Sequence, residues 1–133
     1  AGTELVEFAF ILPALVLLML VVGEVSGAVG TYQIMDNAAR EGARLAVVPG
    51  ELAATGDIQN RVIAYAGANS VTLAASNITI NQAEIVSPGG GACSITNPCI
   101  TASKVSVTYT YPVNAFLGAT FNMGASVEMR NLY

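Results

Sequence analysis

The chain has 133 residues, room for one compact domain and an anchor. It is 53% hydrophobic and 11% charged with a net charge of −4, so it lacks the basic surface that nucleic acid requires, and no nucleic-acid partner is expected. With no histidine and two cysteines, Ser–His and Cys–His devices are excluded and a zinc site is short of ligands, so neither an enzyme nor a cofactor is expected.

Leu5 to Val22 is almost unbroken hydrocarbon, and from Phe8 to Val22 no side chain is charged or hydrogen-bonding. A bilayer-spanning helix needs ~17–25 such residues. Glu7 stands near the start of this run. A carboxylate there costs ~2.5–3.5 kcal/mol on insertion scales, so it calls for a partner. The run carries no Lys/Arg stripe of the kind that lies on anionic lipid. It also has no basic leader and no clean cleavage box, so it is expected to stay in the working protein rather than act as a signal peptide.

The apolar character continues past Gly23 to Arg44-Leu-Ala-Val-Val48, and Pro49-Gly50 ends it. One helix over 3–48 is predicted, about 70 Å long. Pro13 is expected to kink it near Leu12, because proline removes a backbone hydrogen bond. In the second half, Ile34, Ala38, Leu45 and Val48 are expected to face a core, and Asp36–Arg40 forms an i,i+4 pair. Small residues recur in steps of four: Gly23, Gly27, Thr31, then Ala38, Gly42, Ala46. Each trio lines one face, where helix backbones can approach closely. The alternative is a glycine-weakened linker. Five carboxylates against two arginines put residues 1–48 at −3, whereas four against three put residues 49–133 at −1.

Residues 49–133 read as a head. A second helix follows Pro49-Gly50, capped by Thr55 or Asp57, with Ile58, Val62, Tyr65 and Ala66 as its apolar face and Asn69-Ser70 as its end. Asn77-Ile-Thr-Ile-Asn alternates as a strand, and Ala83 to Val86 either continues it or begins another. Ser87-Pro-Gly-Gly-Gly is a turn. It leads to Cys93-Ser-Ile-Thr-Asn-Pro-Cys99, a short loop whose ends either close a disulfide or rest as two buried thiols. A disulfide would place the head in an oxidising compartment. Lys104 to Tyr111 is the clearest strand, with Val105, Val107, Tyr109 and Tyr111 on one face and Pro112 closing it. Ala125 to Asn131 is the last, with Val127 and Met129 inward and Glu128 and Arg130 outward. The fold class is therefore α+β: a long N-terminal hydrophobic helix packed by its second half on a small antiparallel sheet. Residues 1–24 form the membrane or filament-core segment.

A helix that opens on Glu and an aromatic within an apolar run, then feeds a small sheet, resembles the type IV pilin-like superfamily. Leu5-Val-Glu-Phe-Ala-Phe-Ile-Leu-Pro-Ala-Leu is similar to the opening of TadE-like proteins of tight-adherence (Tad) pili, and Ala38-Ala-Arg-Glu-Gly-Ala-Arg44 is similar to a second block of that family. Tyr111-Pro112 and Ala125-Ser-Val-Glu-Met-Arg130 are similar in a less specific way. The resemblance implies a product of a prepilin peptidase, held in the inner membrane and then added to an extracellular filament by an assembly machine. Precursors of that kind are cut after a glycine, with Glu as the fifth mature residue. Cleavage after Gly2 would give Glu7 that place, while a cut before Ala1 would keep both leading residues.

On this reading Glu7 meets the α-amino group of a neighbouring subunit and fixes the stagger between copies, the register role best attested for a buried polar group; the alternative is a carboxylate that snorkels at the lipid headgroup level. Glu4 shares the task if Ala1 is the mature N-terminus. Arg40, Glu41 and Arg44 bridge helix to head or subunit to subunit, or form a solvated face. The expected function is that of a structural subunit in a filament of identical chains. A minor pseudopilin that primes assembly and a monomeric membrane-anchored binding domain are the alternatives.

Overall fold

The computed structural model describes residues 2–48, 54–113 and 118–131. Helix α1 (Gly2–Ala46) is followed by α2 (Thr55–Ala68), a 3-10 turn at Ala75–Asn77, and strands β1 (Ile78–Val86), β2 (Ile100–Val113) and β3 (Ala119–Arg130). The strands form one antiparallel sheet in the order β1-β2-β3. The α+β layout expected from the sequence is the layout observed.

Helix α1 runs for 45 residues with Pro13 inside it. Pro49-Gly50, where the sequence places its end, lies outside the described residues; the last helical residue is Ala46. The second half of α1 enters the head. Met35, Ala38, Ala39, Gly42, Ala43 and Ala46 are buried against Ile58, Val62 and Ala66 of α2 and Val105 and Val107 of β2. These α1 residues recur at i, i+3, i+4, i+7, i+8 and i+11, one face of a helix, with small side chains at five of the six, so the helix lies close to its neighbours. Of the expected core residues, Ala38 is buried, and Ile34 and Leu45 pack partly against the cluster. Val48 is a correction: it is 48% exposed, because the helix has already ended two residues earlier.

Strand β2 lies along α1 in the opposite direction. Ser103 Oγ is 3.5 Å from the Ala46 carbonyl oxygen, Val105 abuts Gly42, and the Tyr111 hydroxyl reaches Gly27. Eight strand steps cover about 26 Å and nineteen helix steps about 28 Å, so strand and helix stay in step over this length.

Helix α2 departs from the sequence expectation at its start. Its N-cap is Ala54, with no side-chain cap, so Thr55 and Asp57 are helical residues rather than caps. Asp57 still places a negative charge in the first turn, where the helix dipole favours it. Its end is as expected: the Asn69 amide donates to the Tyr65 carbonyl at 2.9 Å, and Ser70 turns with φ of 66°.

Strand β1 continues through Ala83 to Val86 across a bulge between Asn81 and Glu84. Asn81 Oδ1 accepts from the Ala83 N–H at 3.1 Å and holds the extra residue in place. Strand β2 runs through Pro112 to Val113, another correction. The partner β1 pairs only as far as Val107, so one side of β2 is open at Pro112, where a missing N–H is tolerated. Strand β3 begins at Ala119, six residues ahead of the expected start. Gly124, just before the expected start, pairs opposite Thr108.

The cysteines form a disulfide, Cys93–Cys99, with Cα atoms 5.3 Å apart. Asn97 organises the loop: its amide donates to the Gly90 carbonyl at 2.9 Å and the Ser87 hydroxyl at 2.6 Å. Its Oδ1 accepts from the Gly89 N–H at 3.2 Å. Gly90 and Gly91 adopt φ of 72° and 82°, which a side chain would resist.

Candidate functional site

Residues 2–26 of α1 extend beyond the head, and their large apolar side chains are exposed. Leu5, Phe8, Phe10, Ile11, Leu18 and Met19 are each at least 60% exposed. The helix is long and apolar enough to cross a membrane, and none of its most apolar 18-residue window is buried. A contiguous apolar surface of this size is untenable in water, so lipid or protein covers it. This bare helix and its junction with the head form the candidate site.

Glu4 and Glu7 lie exposed on the first turns, and among the described residues neither has an ion-pair partner. The first arginine or lysine in the chain is Arg40. Ala1, the alternative mature N-terminus, lies outside the described residues.

The two small-residue trios have different surroundings. Around Gly23 there is open space: a Cβ built there meets nothing within 4 Å. At Gly27 it would sit 2.6 Å from the Tyr111 hydroxyl. Thr31 satisfies its own hydroxyl by donating to the Gly27 carbonyl at 3.0 Å. Ala38, Gly42 and Ala46 are used within the chain. A Cβ on Gly42 would sit 2.5 Å from Val62 Cγ2 and 3.4 Å from Ile58 Cγ2, so this glycine is what lets α2 lie against α1.

The charged block divides in the same way. Arg40 pairs with Asp36 at 2.9 Å on the same helix. Glu41 pairs with Arg61 and so joins α1 to α2. The Arg61 hydrogen bond holds the Glu41 carboxyl below the usual carboxylate range, with the Arg61 and Arg44 charges adding to it and partial desolvation opposing. Arg44 is exposed and has no ion-pair partner among the described residues. With Glu41, Leu45, Val48 and Arg61 it lines an open groove of about 350 Å³. On the sheet, Lys104 and Glu128 pair at 2.8 Å, which holds the ammonium pKa above its ordinary value.

Two features escape the sequence. The first is a buried polar joint at the top of the head. The Ser103 hydroxyl donates to Asn131 Oδ1 at 2.8 Å, the Asn131 amide donates to the Gln82 carbonyl at 3.1 Å, and its backbone N–H donates to the Thr101 carbonyl at 3.0 Å. One asparagine thus ties β1 to β2 beside the end of α1; no local pattern announces a pairing between residues 49 positions apart. The second is Tyr111, which stacks with Phe121 at a centroid distance of 5.4 Å. Strand alternation does place Tyr111 on the face of Val105 and Val107, but not over a particular glycine.

Residues 2–44 match the family model described as TadE-like protein. This is the family that the motifs around Glu7 and Arg40 resemble, and the match covers 43 of 133 residues, all within α1. No curated protein and no solved structure matches the chain.

Proposed function

We propose that this chain is a structural subunit of a Tad-type pilus, polymerising through its N-terminal helix. The observation that carries the reading is the bare apolar half of α1, fused without interruption to a folded head and lying within the TadE-like match. Lipid covers that half before assembly, in the inner membrane. After prepilin-peptidase cleavage and extraction by the assembly machinery, identical helices cover it in an extracellular filament. Burial then stabilises the polymer by roughly 25 cal/mol per Å² of apolar area.

Glu7 is the register residue in this account. Among greasy helices its carboxylate is tolerable when it meets a cation, and the α-amino group of a neighbouring mature subunit is the nearest candidate. Glu4 takes part if Ala1 is retained. Gly23, which is open on this chain, keeps the bundled helices close, while Gly27 makes room for Tyr111 of its own head; Pro13 supplies a bend. A pseudopilin that primes assembly would use the same residues in fewer copies.

The test is Glu7→Ala in cells that make the full chain. Surface filaments should disappear while the amount of membrane-inserted protein stays the same. Normal filaments from that variant would refute the register role.

A further inference from the structure

Glu24 is the last carboxylate on the lower half of α1, and no arginine or lysine precedes Arg40 in the chain. Among the described residues Glu24 has no ion-pair partner, and neither has Arg44. At 3.6 residues per turn, Glu24 lies about five whole turns below Gly42 and therefore on the same line of the helix, under the head. Arg44 is 20 residues from Glu24, a rotation of about 200°, and so occupies the opposite flank.

Opposite flanks are what parallel copies of one helix present to each other. A heterologous contact joins one face of a subunit to a different face of the next, and repetition of it builds an open polymer. From these placements we infer that Glu24 of one copy pairs with Arg44 of the next, which sits beneath the first head, lowered by about 30 Å. The inference rests on the filament reading and adds a second register contact, above the one at Glu7.

Two further observations agree with that stagger. A copy lowered by 20 residues brings its helix end, Ala46, level with residue 26 of the first. Tyr111 reaches α1 at Gly27 and β2 runs two residues further, to Val113, so the neighbour's helix ends level with the lower part of the head. The surroundings also match. Glu24 is flanked by exposed Leu20, Val21 and Val25, while Arg44 borders a groove that also holds Leu45, Val48 and Arg61. Apolar side chains would enclose the pair and reduce its screening by salt.

The test uses the full chain in cells that assemble it, as Glu24→Arg, as Arg44→Glu and as both together. Each single reversal should reduce sheared filaments to about a tenth or less, as charge-pair disruption at a packed interface does. The double reversal should restore them to within about twofold of the unmodified chain. Glu24→Cys/Arg44→Cys filaments should give a ladder of disulfide-linked oligomers on a non-reducing gel. Membrane-inserted monomer should be equal in all variants. A single reversal with full yield, a double reversal without recovery, or filaments without the ladder would overturn the pairing and leave the filament reading standing. Absence of filaments from the unmodified chain would overturn both.

Discussion

The Tyr111 hydroxyl lies over Gly27, 2.6 Å from where a Cβ on that residue would sit. A strand that begins beside the end of the helix thus touches it again near its middle, and the glycine makes room for the contact. Gly27→Ala is expected to be mild, since the end of a tyrosine side chain can move. Gly27→Leu should lift the lower end of the β2–β3 pair off α1, and Tyr111→Ala should relieve it. Hydrogen exchange at residues 107–113 reads this directly: faster in Gly27→Leu, close to normal in Gly27→Leu/Tyr111→Ala.

Gly42 has less freedom. Its missing side chain would meet Val62 at 2.5 Å and also Ile58 and Val105, all packed in the core. Gly42→Ala gains helix propensity of about 1 kcal/mol but overpacks at a cost of about 1–3 kcal/mol. Net destabilisation is expected, visible as a lower melting temperature for the head.

The head requires the upper part of α1. Met35, Ala38, Ala39, Ala43 and Ala46 belong to its core cluster. A chain that starts at residue 29 should therefore be soluble, monomeric and cooperatively folded. One that starts at residue 51 should lack a cooperative melt. Circular dichroism on the two chains distinguishes these outcomes.

Glu41 and Arg61 link α1 to α2, and the link titrates. The Glu41 carboxyl is held below its ordinary value of 4.5, so its contribution is present above that pH and is lost as pH falls through the lowered value. Both side chains are partly solvated, which limits the contribution to about 0.2–1 kcal/mol. Glu41→Gln should lower the stability of the chain starting at residue 29 by that amount at pH 7. The difference should shrink as pH falls below 4.5, as read from urea midpoints.

Asn131 should matter more than its place near the end of the chain suggests. Its side chain both accepts from Ser103 and donates to the Gln82 carbonyl, and Ser103 is fully buried. Asn131→Ala would remove both of these hydrogen bonds and leave the Ser103 hydroxyl only its 3.5 Å contact with the Ala46 carbonyl, at a cost of about 1–3 kcal/mol. Ser103→Ala removes one donor from the joint and should cost less. Melting temperatures of the two variants give the order.

Much of this architecture could be read from residue order, for physical reasons. The apolar run, the Asp36–Arg40 spacing and the alternation from Val105 to Tyr111 are local signals. Periodicity reports them without knowledge of the fold. What could not be read depends on distant partners. Val48 looks like a core residue by its spacing, yet the helix stops at Ala46. Thr55 and Asp57 are good capping residues, but Ala54 occupies the cap. Pro112 looks like a strand end, yet the register with β3 carries β2 past it. Of the candidate site, Glu7, Glu4 and the glycine steps were visible in the sequence. The division of labour between Gly42, which serves the head, and Gly23, which stays open, follows only from the packing of α2.

The central claim is that identical copies cover the bare half of α1. Mass spectrometry of filaments sheared from the cell surface, with electron microscopy of the same fraction, tests it most directly. This chain should be the main protein of regular filaments, at a copy number that rises with their length. If the chain stays in the membrane fraction as a detergent-wrapped monomer and is missing from such filaments, the account is contradicted.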